Sequence, residues 1–261
     1  MDIVVLILIG AVAGTLAGLL GIGGGAIIVP VLVVVFERQG VATGPLMQAA
    51  IGTSMATIVF TAVSATLAHH RRGSIRWRTF WDMTPGVVIG ALVGVSIAHW
   101  LPSKALKVLF GVFLLLIAAR MAWPTLPQTS RPMLSRRWLA AVGGSIGILS
   151  SLFGIGGASM SIPFLTWCGL SAAEVVGTSA AMGIPIAAAG TAGYIVAGLG
   201  AADLPPLSVG YIVLPAFGGI VVASTLFAPL GARLAHRVSP ATLRRLFAVL
   251  LVIFGLRLLL G

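Results

Sequence analysis

Long apolar runs separated by short polar or basic stretches dominate this chain of 261 residues. The first run covers residues 3–36. As one continuous α-helix it would be about 50 Å long, against about 30 Å for the hydrocarbon core of a bilayer. A glycine cluster at Gly21, Gly23, Gly24 and Gly25 divides the run into two shorter pieces. The pattern predicts a broken helix pair, which either crosses the membrane fully or turns back as a re-entrant hairpin.

The remaining apolar runs predict the same arrangement twice. In the first half, the broken pair is followed by helices at about 46–68, 80–100 and 105–121. In the second half, a broken pair at 138–169 is followed by helices at about 172–197, 209–229 and 242–260. We therefore predict an all-α, polytopic integral membrane protein of two repeats, residues 1–123 and 138–261, joined by a proline-rich linker at 124–137.

The two glycine clusters lie in stretches of similar sequence. Residues 14–33 read GTLAGLLGIGGGAIIVPVLV, and residues 147–166 read GILSSLFGIGGASMSIPFLT. A second motif, Gly52-Thr53-Ser54, recurs as Gly177-Thr178-Ser179. Broken helices at corresponding positions of two repeats are typical of secondary transporters, whose binding sites lie at the breaks.

Composition supports the membrane interpretation. Hydrophobic residues make up 59% of the chain and charged residues 8%, and the mean hydropathy is +1.13. A soluble domain carries about a quarter charged residues. The net charge of +11 comes from short basic clusters between apolar runs, which is typical of membrane topology and not of nucleic-acid binding.

The basic clusters also predict an orientation. Twelve of the 16 Lys and Arg residues lie in the loop after the first long helix, in or beside the linker, and in the loop before the last helix. Such clusters favour the cytoplasmic side, which places the linker in the cytoplasm and the N-terminus outside. The first half then crosses inward and the second outward, so we predict repeats of inverted topology.

The glycine breaks are candidate anion sites. Unwound glycines expose backbone N–H groups, and the helix that resumes after each break points its partially positive N-terminus at the gap. Neighbouring hydroxyls add donors. The competing interpretation is that small residues only allow close helix packing. The candidate substrate-binding residues are Gly21, Gly23, Gly24, Gly25, Thr53, Ser54, Gly154, Gly156, Gly157, Ser159, Thr178 and Ser179.

Titratable groups are scarce in the predicted spans, although such groups usually mark ion or proton paths. Glu174 opens a predicted helix, where it serves as a cap or as a coupling residue, and Gln48 occupies the equivalent region of the first half. The sequence has no motif for an enzyme, a metal site or a cofactor, and its single cysteine, Cys168, excludes an internal disulfide. We expect a protein that is not an enzyme.

These motifs resemble the sulfite exporter TauE/SafE family, also called the 4-toluene sulfonate uptake permease family. The resemblance rests on Gly21 to Pro30, Gly154 to Pro163 and the two Gly-Thr-Ser motifs, and the second copy departs from it at Ala158. It implies a multi-pass permease of a bacterial or archaeal inner membrane. The implied substrates are sulfite, sulfoacetate or other organosulfonates.

Two other functions fit the same residues. The protein could be a passive anion pore, or a membrane assembly partner that transports nothing. If the protein is a permease, its partners are a small sulfur-containing anion and the lipid bilayer. The anion, the direction of transport, the coupling ion (proton, sodium or none) and the oligomeric state, a homodimer included, are left open.

Overall fold

The computed structural model describes residues 10–12, 14–15, 24–122, 135–235 and 240–261. Gly21, Gly23 and linker residues 124–134 lie outside the described residues, as does most of the predicted piece before the first glycine cluster.

The described chain is mostly helical, which confirms the all-α prediction at that level. The first half contains α1 (Gly25–Arg38), α2 (Leu46–Arg71), α3 (Trp77–Trp100) and α4 (Ser103–Ala122). The second half contains α5 (Arg136–Phe153), α6 (Ala158–Trp167), α7 (Ala172–Ala197), α8 (Leu214–Ala235) and α9 (Pro240–Leu260). Residues 10–12 and 14–15 are also helical.

One predicted boundary is wrong. A helix was expected from about residue 209, but residues 208–213 form a short antiparallel hairpin of β1 (Ser208–Val209) and β2 (Ile212–Val213). Gly210 at its turn has a φ of 55°, and Leu207 just before it has a φ of 61°. Left-handed backbone at these positions is incompatible with a continuing α-helix, so α8 begins only at Leu214.

Three helices in the described part of the chain are long and apolar enough to cross a membrane, by length and composition: α2, α3 and α7. In contrast, α6 has only 10 residues, about 15 Å or half of the hydrocarbon core. The break before α6 therefore produces a helix too short to span a bilayer alone.

Helices α2 and α7 pack against each other in the core. A Cβ added at Gly190 would contact Met55, and one added at Gly183 would contact Ala62. The residue numbers of the contacts rise along α2 as they fall along α7, so the two helices are antiparallel. Their N-terminal ends therefore lie at opposite ends of the pair.

A seam of small residues joins α3 to α5. Gly86, Gly90 and Gly94 recur every fourth residue on α3 and lie against the backbone of α5 at Ala140, Gly144 and Ile148. This small-xxx-small spacing brings two helix backbones into direct contact. Because both series rise together, α3 and α5 run parallel.

Two further contacts in the described residues use glycine in the same way. Gly10 and Gly14 lie against α8 at Ala223 and Ser224. Helices α4 and α9 meet at Gly111 and Gly255, where a Cβ on either glycine would lie 3.0 Å from the carbonyl oxygen of the other. The helix before each glycine break thus packs on a helix of the other half of the chain.

Candidate functional site

The second glycine break is fully described, and two left-handed glycines define it. Helix α5 ends at Gly154, which has a φ of 66°. Ile155 N–H then donates to Ser150 O at 2.9 Å and Gly154 N–H to Ser151 O at 3.4 Å, the pattern of a Schellman motif. Gly157, with a φ of 77°, caps the start of α6. Glycine is required at both positions because side chains rarely tolerate this backbone region.

The first break has the same geometry where it is described. Gly24 caps α1 with a φ of 68°, and its carbonyl accepts from the N–H groups of Ile27 and Ile28 at 3.0 and 2.9 Å. Gly157 O accepts from Met160 and Ser161 at 3.0 and 2.9 Å. The repeated sequence therefore produces a repeated local structure.

The two breaks touch each other. A Cβ on Gly25 would overlap Gly154 O, and Ile155 Cα would lie 3.0 Å away. Ser54 on α2 donates from Oγ to the same Gly154 carbonyl at 2.9 Å, a buried bond. At Gly25 and Gly154, close packing between the halves is thus one reason for glycine.

At the second break, four consecutive backbone N–H groups have no acceptor among the described residues. Within the described chain, no acceptor receives the N–H groups of Gly156, Gly157, Ala158 and Ser159. The first turn of any helix leaves such groups unpaired. Here they lie in the interior, and a Cβ on Gly156 would meet Ile58 while one on Gly157 would meet Ile186.

Two hydroxyls near these donors also have no partner in the described chain: Ser159, predicted from the sequence, and Ser150, which was missed. Ser150 is 1% exposed, and its Oγ is 3.3 Å from where a Cβ on Gly157 would lie. Its position one turn before Gly154 is the only signal the sequence offered. The adjacent Ser151 carbonyl accepts from the buried Tyr194 hydroxyl at 3.0 Å, which holds the end of α5 against α7.

In both Gly-Thr-Ser motifs, the threonine bonds to a backbone group outside the glycine breaks. Thr53 Oγ1 accepts from Val213 N–H and Thr178 Oγ1 from Arg76 N–H, each at 3.0 Å. The preceding glycines, Gly52 and Gly177, lie against the backbone just before α8 and α3. Each motif therefore anchors the start of a helix from the other half.

The serines of these motifs differ from each other. Ser54 bonds to the second break, whereas the Ser179 hydroxyl is buried with no partner among the described residues. Gly21, which corresponds to Gly154 in the repeated sequence, lies outside the described residues.

Glu174 and Gln48 both have structural partners. Glu174 closes a capping box with Ser171, which confirms the capping interpretation, and it lies 3.6 Å from Arg76. Gln48 donates to the carbonyls of Ala98 and Leu101 at 3.2 and 2.9 Å and accepts from Ser103 at 2.6 Å. A coupling role for either stays a prediction.

Charge in the described chain lies at helix ends and not at the breaks. The ion pairs are Arg76–Glu174, Lys107–Glu37 and Arg136–Asp82. Glu37 and Lys107, with Arg257, also line a cleft of about 240 Å³ between the ends of α1, α4 and α9. Among the described residues, no three His, Cys, Asp or Glu side chains lie close enough together to hold a metal ion. The described neighbours of the second break are apolar side chains and the hydroxyls of Ser54 and Ser150, so any charge there is met by dipoles.

Comparison with known proteins agrees with this architecture. The family profile described as Sulfite exporter TauE/SafE matches residues 6–258. A "Probable membrane transporter protein" of Haemophilus influenzae is 33% identical over 259 residues, covering 99% of this chain and 98% of its own length. A relative of the same description from Methanocaldococcus jannaschii is 28% identical over 98% of this chain and 94% of its own. The "Probable inner membrane transporter protein TsaS" of Comamonas testosteroni is 30% identical over 190 residues, 70% of this chain and 72% of its own.

The helical architecture, the apolar spans and these relatives together define a membrane transporter. The chain belongs to the sulfite exporter TauE/SafE family, whose profile covers nearly its whole length.

Proposed function

We propose that this transporter is a multi-pass permease of a bacterial or archaeal inner membrane that moves small sulfur-containing anions. The family description names sulfite, and the resemblance noted above extends the substrate class to sulfoacetate and other organosulfonates. The anion binds where the two glycine breaks meet, near the middle of the membrane. The proposed binding residues are Gly21, Gly23, Gly24, Gly25, Thr53, Ser54, Gly154, Gly156, Gly157, Ser159, Thr178 and Ser179.

The contact between the two breaks is the observation that carries this proposal. Gly25 lies directly against Gly154, although 129 residues separate them in the chain, and both breaks resume as helices capped by a left-handed glycine. The N-terminus of α1 therefore lies against Gly154, the C-cap of α5, and Ile58 borders both Gly25 and Gly156. The start of α1 and the unpaired N–H groups of the second break thus lie close together inside the protein. Such an arrangement stabilises an anion without a charged side chain.

Reciprocal contacts support two repeats of inverted topology. Thr53 anchors the start of α8 and Thr178 the start of α3, and Gly111 and Gly255 contact each other symmetrically. Helices α2 and α7, which run antiparallel, occupy equivalent positions in the two repeats. Antiparallel equivalents are expected when one repeat crosses the membrane in the opposite sense to the other.

A glycine replacement at the second break tests the proposal. Gly156→Val adds a side chain whose Cβ has one close neighbour among the described residues, Ile58 at 3.2 Å, so the protein is expected to fold while the break's N–H groups are shielded. The matched control is Gly218→Val on α8, where a Cβ has no described atom within 4 Å. In proteoliposomes loaded with sulfite or sulfoacetate, we expect background flux for Gly156→Val and wild-type flux for the control. Normal flux from Gly156→Val would show that the anion does not bind at the second break.

A passive anion pore is the second candidate. It is favoured by the absence of Asp, Glu, Lys and Arg from the buried side chains of the described chain, since coupled transporters usually keep such groups in their spans. The same proteoliposomes separate the two. Flux that persists at full rate after the pH and sodium gradients are collapsed indicates a pore, and flux that falls indicates a coupled transporter.

A further inference from the structure

The second glycine break carries two hydroxyl groups that nothing in the described chain uses. Ser150 lies in the last turn of α5 on one side of the break, and Ser159 lies in the first turn of α6 on the other. Ser on a helix often donates to the carbonyl of the preceding turn, as Ser161 and Ser151 do here. Ser150 and Ser159 do not. Burying an unpaired hydroxyl costs about 1–3 kcal/mol, so each is expected to meet an acceptor in the functional state.

The unpaired N–H groups of residues 156–159 lie between these two serines in the chain. Gly157 and Ser150 are in contact there, because Ser150 Oγ lies 3.3 Å from the Cβ position of Gly157. The arrangement therefore combines peptide donors at a helix N-terminus with a buried hydroxyl directed at them. Oxyanions are the ligands that accept several hydrogen bonds at once from such a set.

The two halves of the chain differ at these positions. In the repeated sequence, Ser150 corresponds to Ala17 and Ser159 to Ala26. The first break therefore lacks a hydroxyl at either position. An anion gains the hydrogen bonds of these two hydroxyls only at the second break.

The surroundings also select the charge of the ligand. Apart from the Ser150 hydroxyl, the described neighbours of Gly156 and Gly157 are the apolar side chains of Ile58, Ile146 and Ile186. Dipoles and hydroxyls can stabilise one negative charge, but a dianion has a much larger desolvation cost, which the four peptide N–H groups and two hydroxyls here offset less completely.

Resting on the proposed function, we propose that the second break forms the head-group site and that it binds a singly charged oxyanion. The donors are the N–H groups of residues 156–159 and the hydroxyls of Ser150 and Ser159. The ligands that fit are a sulfonate group or hydrogensulfite. Sulfate and the sulfite dianion are selected against.

Calorimetric titration of the purified full-length protein tests the charge selection. Methanesulfonate, a monoanion at all pH values used, is expected to bind with an affinity independent of pH. Sulfate is expected to bind at least about tenfold more weakly, a difference of about 1.4 kcal/mol. The affinity for sulfite should fall as the pH rises, because hydrogensulfite loses its proton. Equal affinity for sulfate and methanesulfonate would overturn the charge selection.

Two variants test the residues. Ser150→Ala and Ser159→Ala should each weaken methanesulfonate binding by about tenfold, the value of one hydrogen bond to a charged group. The control is Ser145→Ala on the exposed face of α5, whose hydroxyl lies far along the helix from the break and which should bind as wild type.

Thermal unfolding without ligand separates a binding role from a structural one. A hydroxyl that serves only the ligand leaves the unliganded melting temperature unchanged or higher when it is removed, because an unpaired buried group is lost. We expect this result together with a smaller shift on adding methanesulfonate. A lower unliganded melting temperature with unchanged affinity would overturn the assignment.

These experiments also distinguish a failure of the head-group site from a failure of the proposed permease function. If the wild-type protein binds and transports sulfonates but both serine variants bind equally well, the head-group site is wrong and the permease proposal stands. If the wild-type protein neither binds nor transports any of these anions, both fail.

Discussion

At the scale of single residues, Thr53 and Thr178 make equivalent hydrogen bonds at two distant places. Both hydroxyl oxygens accept from the backbone N–H at the start of a helix in the other half, at 3.0 Å in each case. The sequence singled them out as anion donors, and that role stays a prediction. The structure adds a second role, because each threonine satisfies a helix-start N–H that would otherwise be unpaired.

We expect Thr53→Val to lower stability. The substitution keeps the shape of the side chain but removes the acceptor for Val213 N–H, which is fully buried, and an unpaired buried N–H costs about 1–3 kcal/mol. The measurement is thermal unfolding in detergent. Thr225→Val, at an exposed threonine whose hydroxyl bonds within its own helix, is the control. Equal melting temperatures for the two variants would contradict the structural role.

At the scale of elements, the seam between α3 and α5 depends on backbones in contact. Gly86, Gly90 and Gly94 allow α3 to approach α5 so closely that a Cβ at any of them would overlap a backbone carbonyl or a side chain. The seam positions the second break, because α5 ends at Gly154. Hydrogen bonding reinforces it, since Ser151 Oγ donates to Ala91 O at 2.8 Å.

Two facing glycines of this seam should respond differently to the same change. A Cβ on Gly90 would overlap the Gly144 carbonyl, whereas a Cβ on Gly144 would lie 3.6 Å from Gly86 O, an ordinary contact. Gly90→Ala should therefore cost about 1–3 kcal/mol through overpacking, and Gly144→Ala should be tolerated. Thermal unfolding of both variants checks this. Equal effects would show that the helices do not approach as closely as described.

At the scale of the whole molecule, the halves are joined through their equivalent helices. Helices α2 and α7 run antiparallel in the core, so the chain leaves them at opposite ends, after Arg71 and after Ala197. The basic clusters predict that the loop after α2 is cytoplasmic and the loop after α7 is outside, and this assignment of sides stays a prediction.

Labelling from each side of the membrane tests that topology. Arg72→Cys and Leu199→Cys place a thiol just beyond α2 and α7 at exposed positions, in a background where the buried Cys168 is replaced by Ala. A membrane-impermeant thiol reagent should label Arg72→Cys only in inside-out vesicles and Leu199→Cys only in right-side-out vesicles. Labelling of both from one side would exclude inverted repeats.

The sequence by itself determined the helices, the broken runs and the membrane class. These features depend on local composition: long apolar runs form helices, glycine clusters interrupt them, and Glu174 three residues after Ser171 forms a capping box. The left-handed caps at Gly24 and Gly157 follow from the same local preference.

Only the tertiary structure decided which of these parts meet. Ser54 and Gly154 are 100 residues apart in the chain, and Thr53 and Val213 are 160 apart, so no local pattern could pair them. The unpaired hydroxyl of Ser150 was missed for the same reason. The hairpin before α8 is local, and it was missed because residues 209–213 continue the apolar run of that helix. Local preferences fix how each segment folds, but contacts between distant segments depend on the free energy of packing the whole chain.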